Sequence, residues 1–388
     1  MVSPIVIIGT GLAGYSLAKE LRKLDATIPI VMISRDAGDF YSKPMLSNAL
    51  CAKKSAASLV LKSSVAMEEE LSVRILSHTQ VVKIDLQAHC VHLEGGGNQF
   101  YSTLVLAMGA DPIRPVLEGN GVDSVLSVND LGDFSLFEKS LAELEARNTS
   151  RNVLILGAGL IGCEFANDLL ARGFNPTVVD VANRVLERLL PPQASRRLQT
   201  RLENAGAAFR FKAAVVSVNR SAAGLAVEFS DGTAMRCDLI MSAIGLKPRI
   251  GLAAQAGLEV QCGIVTDGKL MTSDPRVFAI GDCAEVGCSV LPFVMPIMFQ
   301  CRALAATLTG TPTVVKYPAM PVTVKTPACP TVVCPPPSRA EGAWEVLEAD
   351  DGLEALFSDS TSPDRALGFA LQEKSVLKRQ QMAARVAT

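Results

Sequence analysis

The chain has 388 residues, enough for two or three domains that each bury a sizeable core. Hydrophobic residues make up 49% of the sequence, charged residues make up 20%, and the formal net charge is -2. This composition predicts an α/β enzyme. The net charge gives no positive field to attract nucleic acid, so nucleic acid is not expected as a partner. No apolar run reaches the roughly 18 to 20 residues of a membrane span.

Targeting and redox signals predict a cytoplasmic protein. The apolar start, Val2 to Ile8, has no basic segment and runs directly into a glycine motif that signal-peptide cleavage would destroy. Ten cysteines and three histidines form no C-x-x-C pair and no metal-type cluster. We therefore expect reduced structural thiols and no metal site.

The first predicted element is a buried strand, Ile5 to Ile8, which ends in G-x-G-x-x-G and opens a helix over about 12–24. In such a motif Gly9 turns the strand, Gly11 lets backbone N–H groups approach a pyrophosphate, and Gly14 lets helix and strand pack closely. The pyrophosphate lies at the helix N-terminus, where unpaired N–H groups and the positive dipole end stabilise it. The motif predicts a dinucleotide site.

The second strand, Ile30 to Ile33, is followed by three polar residues where a single ribose-binding acid is usual. Asp36 can fill that role one or two positions late. Alternatively, Ser34 and Arg35 can hold the adenosine ribose and phosphate. The third alternative is a polar turn without a ligand.

The loop from Tyr41 to Ser47 carries Lys43 directly before a proline. A lysine in this position is commonly a solvated residue of an extended segment. The loop follows the second strand, however, and can reach the reactive ring of a cofactor lying across the carboxyl edge of the sheet. A lysine there would stabilise negative charge on the reduced ring, and we prefer this functional role for Lys43.

Residues 71–106 predict short strands and hairpins, with a turn at Glu94 to Asn98. They lead into an apolar strand that closes on Ala107 and Gly109. These small residues would let the backbone pass closely under a bound nucleotide.

The second glycine motif follows a predicted helix at about 130–147. A buried strand, Val153 to Leu156, ends in Gly157, Gly159 and Gly162 at the same spacing as the first motif. Two such motifs, each after a buried strand, predict two dinucleotide sites in one chain.

Glu164 lies early in the helix that opens at the second motif. The helix dipole favours an acid there even without a function. The alternative, which we prefer, places Glu164 beside the nicotinamide and facing the other cofactor.

The next strand, Thr177 to Asp180, ends with an acid near the spacing of about 20 residues that ribose binding requires. A carboxylate there accepts hydrogen bonds from both ribose hydroxyls and repels a 2′-phosphate, so the motif favours NADH over NADPH. Two alternatives stay open: nearby Arg184 could accommodate that phosphate, and Asp180 could merely cap a turn.

Two later features complete the prediction for the first unit. After the strand Cys237 to Gly245, a buried strand ends in Gly281 and Asp282, whose carboxylate can hydrogen-bond a ribityl hydroxyl. A helix predicted from Phe293 to Leu308 would direct its N-terminus at the flavin ring.

From about residue 311 the sequence becomes rich in proline and strand-like, which predicts a separate small domain. The predicted division has a first FAD-binding part at 1–112 and an NAD-binding domain at 113–244. A second FAD-binding part follows at 245–310, and a C-terminal domain at 311–388.

Together these motifs resemble those of the FAD- and NAD-linked reductases with the glutathione-reductase-like fold. The residues that carry the resemblance are the two glycine motifs, Ala107 to Gly109, Ala243 to Pro248 and Thr272 to Asp282. It covers essentially the whole chain and implies an α/β fold with two Rossmann-like dinucleotide-binding domains and a small C-terminal α+β domain.

The loop Ser42 to Ser47 stands where the disulfide reductases of this superfamily keep a C-x4-C pair, and it resembles the loop of the ferredoxin and rubredoxin reductases. No redox disulfide is therefore expected. Two pairs share the spacing but lie in the wrong places, Cys283/Cys288 and Cys329/Cys334.

A closer resemblance, to the bacterial rubredoxin reductases, is carried by Leu156 to Asp168 and Met320 to Pro330. It implies that Glu164 lies near the nicotinamide. It also implies contact with FAD by Gly9, Thr10, Gly11, Leu12, Ser34, Arg35, Lys43, Val81, Asp282, Val294 and Lys325.

The activity implied by this resemblance is electron transfer from NADH to rubredoxin, a small acidic iron carrier. NADH would give a hydride to the flavin, and single electrons would pass to a carrier that commonly feeds alkane hydroxylation. The alternatives are an NADH-ferredoxin reductase of another oxygenase system, an oxidase using O₂ and a flavin-bound redox-sensing binding protein. A monomer is favoured because the carrier must reach the flavin edge.

Overall fold

The structure is a computed structural model that describes residues 3–147, 150–222, 224–337 and 340–386. The chain folds into two compact units. Unit 1 comprises Met1–Lys43, Ser58–Asp111 and Leu246–Tyr317, and unit 2 comprises Pro44–Ala57, Pro112–Gly245 and Pro318–Thr388.

Unit 1 is built on a five-stranded parallel sheet. Its strands lie in the order Val277–Ala279, Thr103–Leu106, Ile5–Ile8, Ile30–Ile33 and Arg74–Leu76. The glycine-motif strand Ile5–Ile8 is central and buried throughout, as its apolar, β-branched sequence predicts. The order reverses beside this strand, and the crevice at such a switch point is where open α/β sheets bind ligands.

Smaller elements complete unit 1. Its α-helices are Leu12–Leu24, Ser64–Leu71, Gly251–Gln255 and Val294–Leu308, and a 3-10 turn spans Gly281–Cys283. Three strands form an antiparallel sheet, Val81–Asp85, Cys90–Leu93 and Asn98–Phe100. Short two-stranded sheets pair Phe40–Tyr41 with Val60–Lys62, Ile264–Thr266 with Ala284–Val286, and Ala110–Pro112 with Leu246–Pro248.

Unit 2 repeats the plan around the second glycine motif. Its parallel strands lie in the order Val125–Leu126, Leu239–Ser242, Asn152–Leu156, Asn175–Asp180 and Ala208–Phe211. The motif strand Asn152–Leu156 is again central, and the order again reverses beside it. Three antiparallel strands adjoin the sheet in sequence, Val215–Ser221, Gly224–Phe229 and Ala234–Cys237.

The helices of this part of unit 2 are Leu131–Arg147, Leu160–Ala171 and Pro192–Asn204, with a 3-10 turn at Val122–Ser124. Two short elements cross the boundaries of the Pro44–Ala57 segment, the 3-10 turn Lys43–Asn48 and the helix Ala56–Leu59.

The end of unit 2 is a five-stranded antiparallel sheet. Its order is Val322–Val324, Thr331–Cys334, Ala366–Glu373, Gly352–Asp359 and Gly342–Ala349, followed by a 3-10 turn, Lys374–Lys378, and the helix Arg379–Arg385. Phe369, Leu371 and Met382 form a small core on one face of the sheet. This arrangement is the α+β domain that the sequence predicts.

The predicted fold class is confirmed, and most predicted elements are in place. The predicted strand Cys237 to Gly245 differs, because Ala234–Cys237 lies in the antiparallel sheet and Leu239–Ser242 in the parallel one. Asp238 marks the change of sheet, where its carboxylate accepts a hydrogen bond from the Asn152 N–H. Among the ranges described, none of the helices has the length and apolarity to cross a bilayer.

The ten cysteines are all free thiols in the structure, seven of them buried. Burial raises the pKa of Cys237 to about 12 and the pKa values of Cys283 and Cys329 to about 11. The nucleophile is the thiolate, so these buried groups are expected to be unreactive near neutral pH.

Titration with a chromogenic thiol reagent is expected to find three fast thiols in the native protein, at Cys51, Cys262 and Cys288. All ten should react after denaturation without a reductant. A total below ten would show that some cysteines are oxidised, and additional fast thiols would contradict the burial of the other seven.

Candidate functional site

The first glycine loop has the conformation that a dinucleotide cradle requires. Gly9 has φ +114°, which favours glycine, and a Cβ there would lie 2.2 Å from the Ala107 carbonyl oxygen. A Cβ at Gly14 would lie 2.0 Å from the Gly9 carbonyl oxygen. These two glycines are therefore fixed by the close approach of backbone segments.

Gly11 differs, because a Cβ there would meet no atom of the described residues within 4 Å apart from those of its own chain neighbours. Gly11 is also the N-cap of the helix Leu12–Leu24, and no side chain of the described residues caps that end. The helix N-terminus thus opens onto free space at the residue that the motif reserves for a pyrophosphate. The residues present fit a dinucleotide.

A chain of hydroxyls links this loop to the end of the second strand. Thr10 Oγ1 and Ser34 Oγ are 2.6 Å apart, and Ser34 Oγ donates to Asp36 Oδ1 at 2.6 Å. Because Ser34 spends its proton on Asp36, Thr10 is the donor to Ser34. Asp36 also accepts from the Gly38 N–H at 2.9 Å. Which of Ser34, Arg35 and Asp36 contacts a ribose stays a prediction.

Asp282 lies in the 3-10 turn at the end of the strand Val277–Ala279. Burial raises the pKa of its carboxyl, while the charges of Lys43 and Arg249 act in the opposite direction. The turn is held by the buried Gln300, whose Oε1 accepts from the Gly281 N–H at 2.7 Å.

Two cations meet at the same edge of unit 1. Arg249 donates to Asp111 at 2.8 Å through Nε and to the Met108 carbonyl oxygen at 2.7 Å. The hydrogen bond from Arg249 lowers the pKa of Asp111, with further contributions from Arg35 and Lys43. Lys43 and Arg249 therefore both place positive charge near the carboxyl groups of Asp111 and Asp282.

The other predicted FAD contacts of unit 1 lie on several elements. Gly109 has φ +70° and follows Ala107 after the strand Thr103–Leu106. Val294 opens the helix Val294–Leu308, which no side chain of the described residues caps, and Val81 opens an antiparallel strand. Their contacts with FAD stay predictions.

The second glycine loop repeats the geometry of the first. Gly157 has φ +105° with a Cβ position 2.6 Å from the Ala243 carbonyl oxygen, and a Cβ at Gly162 would lie 1.9 Å from the Gly157 carbonyl oxygen. Gly159 has open space within 4 Å of its Cβ position and is the N-cap of the helix Leu160–Ala171. This loop also fits a dinucleotide.

Asp180 ends its strand beside this loop. Its carboxylate accepts hydrogen bonds from the Ala158 N–H at 2.5 Å and the Ala182 N–H at 2.8 Å. Nearby Arg184 is paired with Glu187 at 3.0 Å. The guanidinium that could have met a 2′-phosphate thus already has a counter-charge beside it.

Glu164 is at the centre of a polar network within unit 2 and only 1% exposed. It accepts from Ser47 Oγ at 2.5 Å, from the Lys325 N–H at 2.9 Å and from Lys325 Nζ at 2.6 Å. Lys325 Nζ also donates to Ser47 Oγ at 2.6 Å and to the Pro44 carbonyl oxygen at 2.5 Å. All three ammonium protons have partners.

One turn further along the helix, Asp168 and Asn167 extend the network. Asp168 accepts from the Leu50 N–H at 2.9 Å and the Cys51 N–H at 2.6 Å, and Asn167 Oδ1 accepts from the Ala328 N–H at 3.0 Å. Burial raises the pKa of Asp168. One face of the helix Leu160–Ala171 thus holds both the Pro44–Ala57 segment and the start of the C-terminal domain.

The second glycine motif singles out Glu164, and only the family resemblance indicates Lys325; neither reveals that the two are paired. Ser47, Asp168 and Arg249 were not predicted as members of the site. A signal existed for the helix: polar residues at 164, 167 and 168 repeat at helical spacing within an otherwise apolar helix. No local pattern marked Arg249, which follows the turn Leu246 to Pro248.

Comparisons with known proteins agree with this geometry. Residues 3–302 match the family described as pyridine nucleotide-disulphide oxidoreductase, and residues 314–386 match the family described as rubredoxin binding C-terminal domain.

Two curated relatives and one solved structure align over nearly the whole chain. Rubredoxin-NAD(+) reductase of Alcanivorax borkumensis is 46% identical over 98% of this chain and 97% of that protein. The same enzyme of Acinetobacter baylyi is 45% identical over 95% of this chain and 93% of that protein. The crystal structure of the covalent putidaredoxin reductase-putidaredoxin complex has a TM-score of 0.88 and 27% identity, covering 99% of this chain and 93% of that chain.

Two glycine loops on two parallel sheets define this protein as an oxidoreductase with two dinucleotide sites. The chain belongs to the pyridine nucleotide-disulphide oxidoreductase family and ends in a rubredoxin-binding domain. The predicted resemblance to the rubredoxin reductases and the predicted cofactors, FAD and NADH, are confirmed.

Proposed function

We infer that this chain carries electrons from NADH through bound FAD to rubredoxin. The observation that carries this conclusion is the fusion of a pyridine nucleotide reductase, residues 3–302, with a rubredoxin-binding domain, residues 314–386. When bound, FAD supplies the redox chemistry, because a flavin accepts a hydride and can release the two electrons singly.

The residues of unit 1 bind and orient FAD. The glycine loop and the open N-terminus of the helix Leu12–Leu24 take the pyrophosphate, and Asp282 takes a ribityl hydroxyl. Lys43 favours negative charge on the reduced flavin. Burial raises the pKa of the Asp282 carboxyl, and the Lys43 ammonium lies near enough to lower it in part. The N-terminus of the helix Val294–Leu308 adds a positive dipole end.

The residues of unit 2 bind NADH. The open N-terminus at Gly159 takes the pyrophosphate, and Asp180 takes the adenosine ribose. Two backbone N–H groups hold the Asp180 carboxylate in place, so it stands ready to accept the ribose hydroxyls. The pairing of Arg184 with Glu187 supports NADH over NADPH, because the guanidinium that could meet a 2′-phosphate already has a counter-charge.

Replacing Asp180 with Asn is expected to reduce the preference for NADH. The amide keeps the size of the side chain but loses the charge that repels a 2′-phosphate, so the ratio of kcat/KM for NADH to that for NADPH should fall about tenfold or more. Steady-state rates with both nucleotides and one artificial acceptor test this. If the natural enzyme already used both nucleotides equally, Asp180 would have no such role.

Glu164 and Lys325 position the groups around the reduced nicotinamide. Glu164 follows the second glycine loop by two residues and is shielded from water. Its pairing with Lys325 fixes both side chains. We propose that this pair orders the nicotinamide end of NADH and that Lys325 contacts FAD. Hydride transfer needs no general base, so no residue is assigned to that role.

The physiological setting is part of the proposal. Resemblance to the bacterial rubredoxin reductases supports an alkane hydroxylase as the consumer of the reduced carrier. Seven buried thiols, several with a raised pKa, suit the reducing conditions of the cytoplasm.

The choice of acceptor is tested by steady-state reduction of rubredoxin and of a [2Fe–2S] ferredoxin under identical conditions. We expect rubredoxin to be reduced with the higher kcat/KM, and NADH oxidation with O₂ alone to be slow. Preferential reduction of the ferredoxin would overturn the acceptor. Rapid NADH consumption with O₂ alone would instead indicate an oxidase.

A further inference from the structure

The helix Pro192–Asn204 carries an arginine, Arg197, that bonds the C-terminal sheet in five places. Nε donates to Glu373 Oε2 at 2.8 Å, and Nη2 also donates to Glu373. Nη1 donates to Glu348 Oε1 at 3.2 Å and to the Ala349 carbonyl oxygen at 2.8 Å. Nη2 donates in addition to the Asp350 carbonyl oxygen at 2.8 Å. We call Arg197 with residues 348–350 and Glu373 the Arg197 clasp. Its guanidinium uses every donor in the fork.

The Arg197–Glu373 pair of the clasp is shielded from water, whereas residues 348–350 are exposed. The Arg197 side chain is 9% exposed and that of Glu373 is 17% exposed. Exposed ion pairs contribute little, whereas a shielded carboxylate held by several N–H groups keeps one geometry. Nε and Nη2 of Arg197 converge on Glu373 Oε2, and Arg201 of the same helix donates from Nε to Glu373 Oε1 at 2.8 Å. The clasp therefore defines one orientation of its partners.

Two further observations place the clasp under constraint. Glu373 has φ +56° and ψ -125°, a conformation that residues other than glycine rarely adopt. The preceding residue, Gln372, is fully buried and donates from Nε2 to the Ala194 carbonyl oxygen at 2.9 Å. Consecutive residues at one strand end thus bond to successive turns of the same helix.

The elements that the clasp joins have different tasks. Its helix belongs to the part of the chain that matches the pyridine nucleotide family, and its partners belong to the rubredoxin-binding domain. The clasp residues 348–350 lead into the turn between the strands Gly342–Ala349 and Gly352–Asp359, so one side chain holds both this turn and the end of the strand Ala366–Glu373.

We propose that Arg197 is a positioning residue for rubredoxin: through the clasp it sets the orientation of the sheet of the rubredoxin-binding domain relative to the helix Pro192–Asn204, and thereby how that domain meets the carrier. This inference rests on the proposed function. It assigns no role to Arg197 in binding FAD or NADH. Loss of the clasp should therefore weaken productive docking of the carrier and spare the earlier steps.

The experiment compares the purified holoenzyme with the Arg197→Met and Arg197→Lys variants. We expect Arg197→Met to raise the KM for rubredoxin about tenfold, while the KM for NADH and the rate of ferricyanide reduction change less than about twofold. Arg197→Lys keeps the charge but not the forked set of N–H donors, so its KM for rubredoxin should lie between those of the natural enzyme and of Arg197→Met. If the methionine variant fails to hold FAD, the lysine variant carries the same comparison.

The matched control is Arg172→Met. Arg172 also forms a two-armed pair, with Glu145 at 2.9 and 2.8 Å, but this pair does not reach the rubredoxin-binding domain. Its KM for rubredoxin should be unchanged. An unchanged KM for rubredoxin in both Arg197 variants, with or without a lower melting temperature, would make the clasp merely structural and overturn the proposal. If the natural enzyme did not reduce rubredoxin at all, the proposed function would fail instead.

Discussion

Alanine at Gly11 is expected to lower the affinity for FAD about 100-fold while leaving the apoprotein as stable as before. Apart from its own chain neighbours, no atom of the described residues lies within 4 Å of the Cβ position at Gly11, and its φ of -72° suits alanine. The added methyl would instead occupy the space of the pyrophosphate and cost the hydrogen bonds made by the helix N-terminus, about 2 to 3 kcal/mol. Titration of the apoprotein with FAD, followed by flavin fluorescence, measures the change.

Gly159→Ala is the matched variant for the second loop. Gly159 also has open space at its Cβ position, with φ -75°. This variant should retain FAD and show a KM for NADH raised by about 10- to 100-fold. If the first loop holds FAD and the second holds NADH, the Gly11 variant should lose affinity for FAD alone and the Gly159 variant affinity for NADH alone. Loss of FAD from the Gly159 variant, with normal retention in the Gly11 variant, would reverse the assignment of the sites.

Glu164→Gln is expected to destabilise unit 2 and to slow the reaction with NADH. Breaking a buried ion pair costs about 3 kcal/mol or more, and water reaching the 22% exposed Lys325 side chain reduces this to about 2 kcal/mol. The apparent melting temperature should fall by about 5 °C, measured by calorimetry on the holoenzyme. The rate of flavin reduction by NADH should fall about tenfold, because Lys325 and Ser47 lose the group that orders them.

Glu145→Gln is the control for this experiment, since Glu145 pairs with Arg172 near the surface of the same unit. Its loss should cost at most about 1 kcal/mol and leave the rate unchanged. The double variant Glu164→Gln/Lys325→Met should be more stable than Glu164→Gln alone, because it no longer leaves a cation without a counter-charge. A Glu164→Gln variant as stable and as fast as the natural enzyme would contradict the role of the pair.

The parts of the fold that the sequence predicted are those encoded by local patterns. Buried strands such as Ile5–Ile8 are short apolar runs, and the helices that follow them begin at a fixed glycine spacing. The open positions at Gly11 and Gly159 follow from the same motif, as does the place of Asp180 at the end of a strand. Such features depend on residues within about 20 positions of one another.

The parts of the site that the sequence did not predict depend on distant partners. Glu164 meets Ser47 across 117 positions and Lys325 across 161, and Arg197 meets Glu373 across 176. Periodicity and spacing cannot reveal which segments the fold brings together over such separations. The Pro44–Ala57 segment illustrates the point, since it precedes the strand Arg74–Leu76 of unit 1 and yet belongs to unit 2.

The most direct test of two dinucleotide sites feeding a carrier is the absorbance spectrum of the purified protein during anaerobic mixing with NADH. We predict one bound FAD per chain, with flavin absorbance that NADH bleaches far faster than NADPH does, and that recovers when oxidised rubredoxin is added. A colourless protein that takes up no FAD, or a bound flavin that NADH does not reduce, would contradict it.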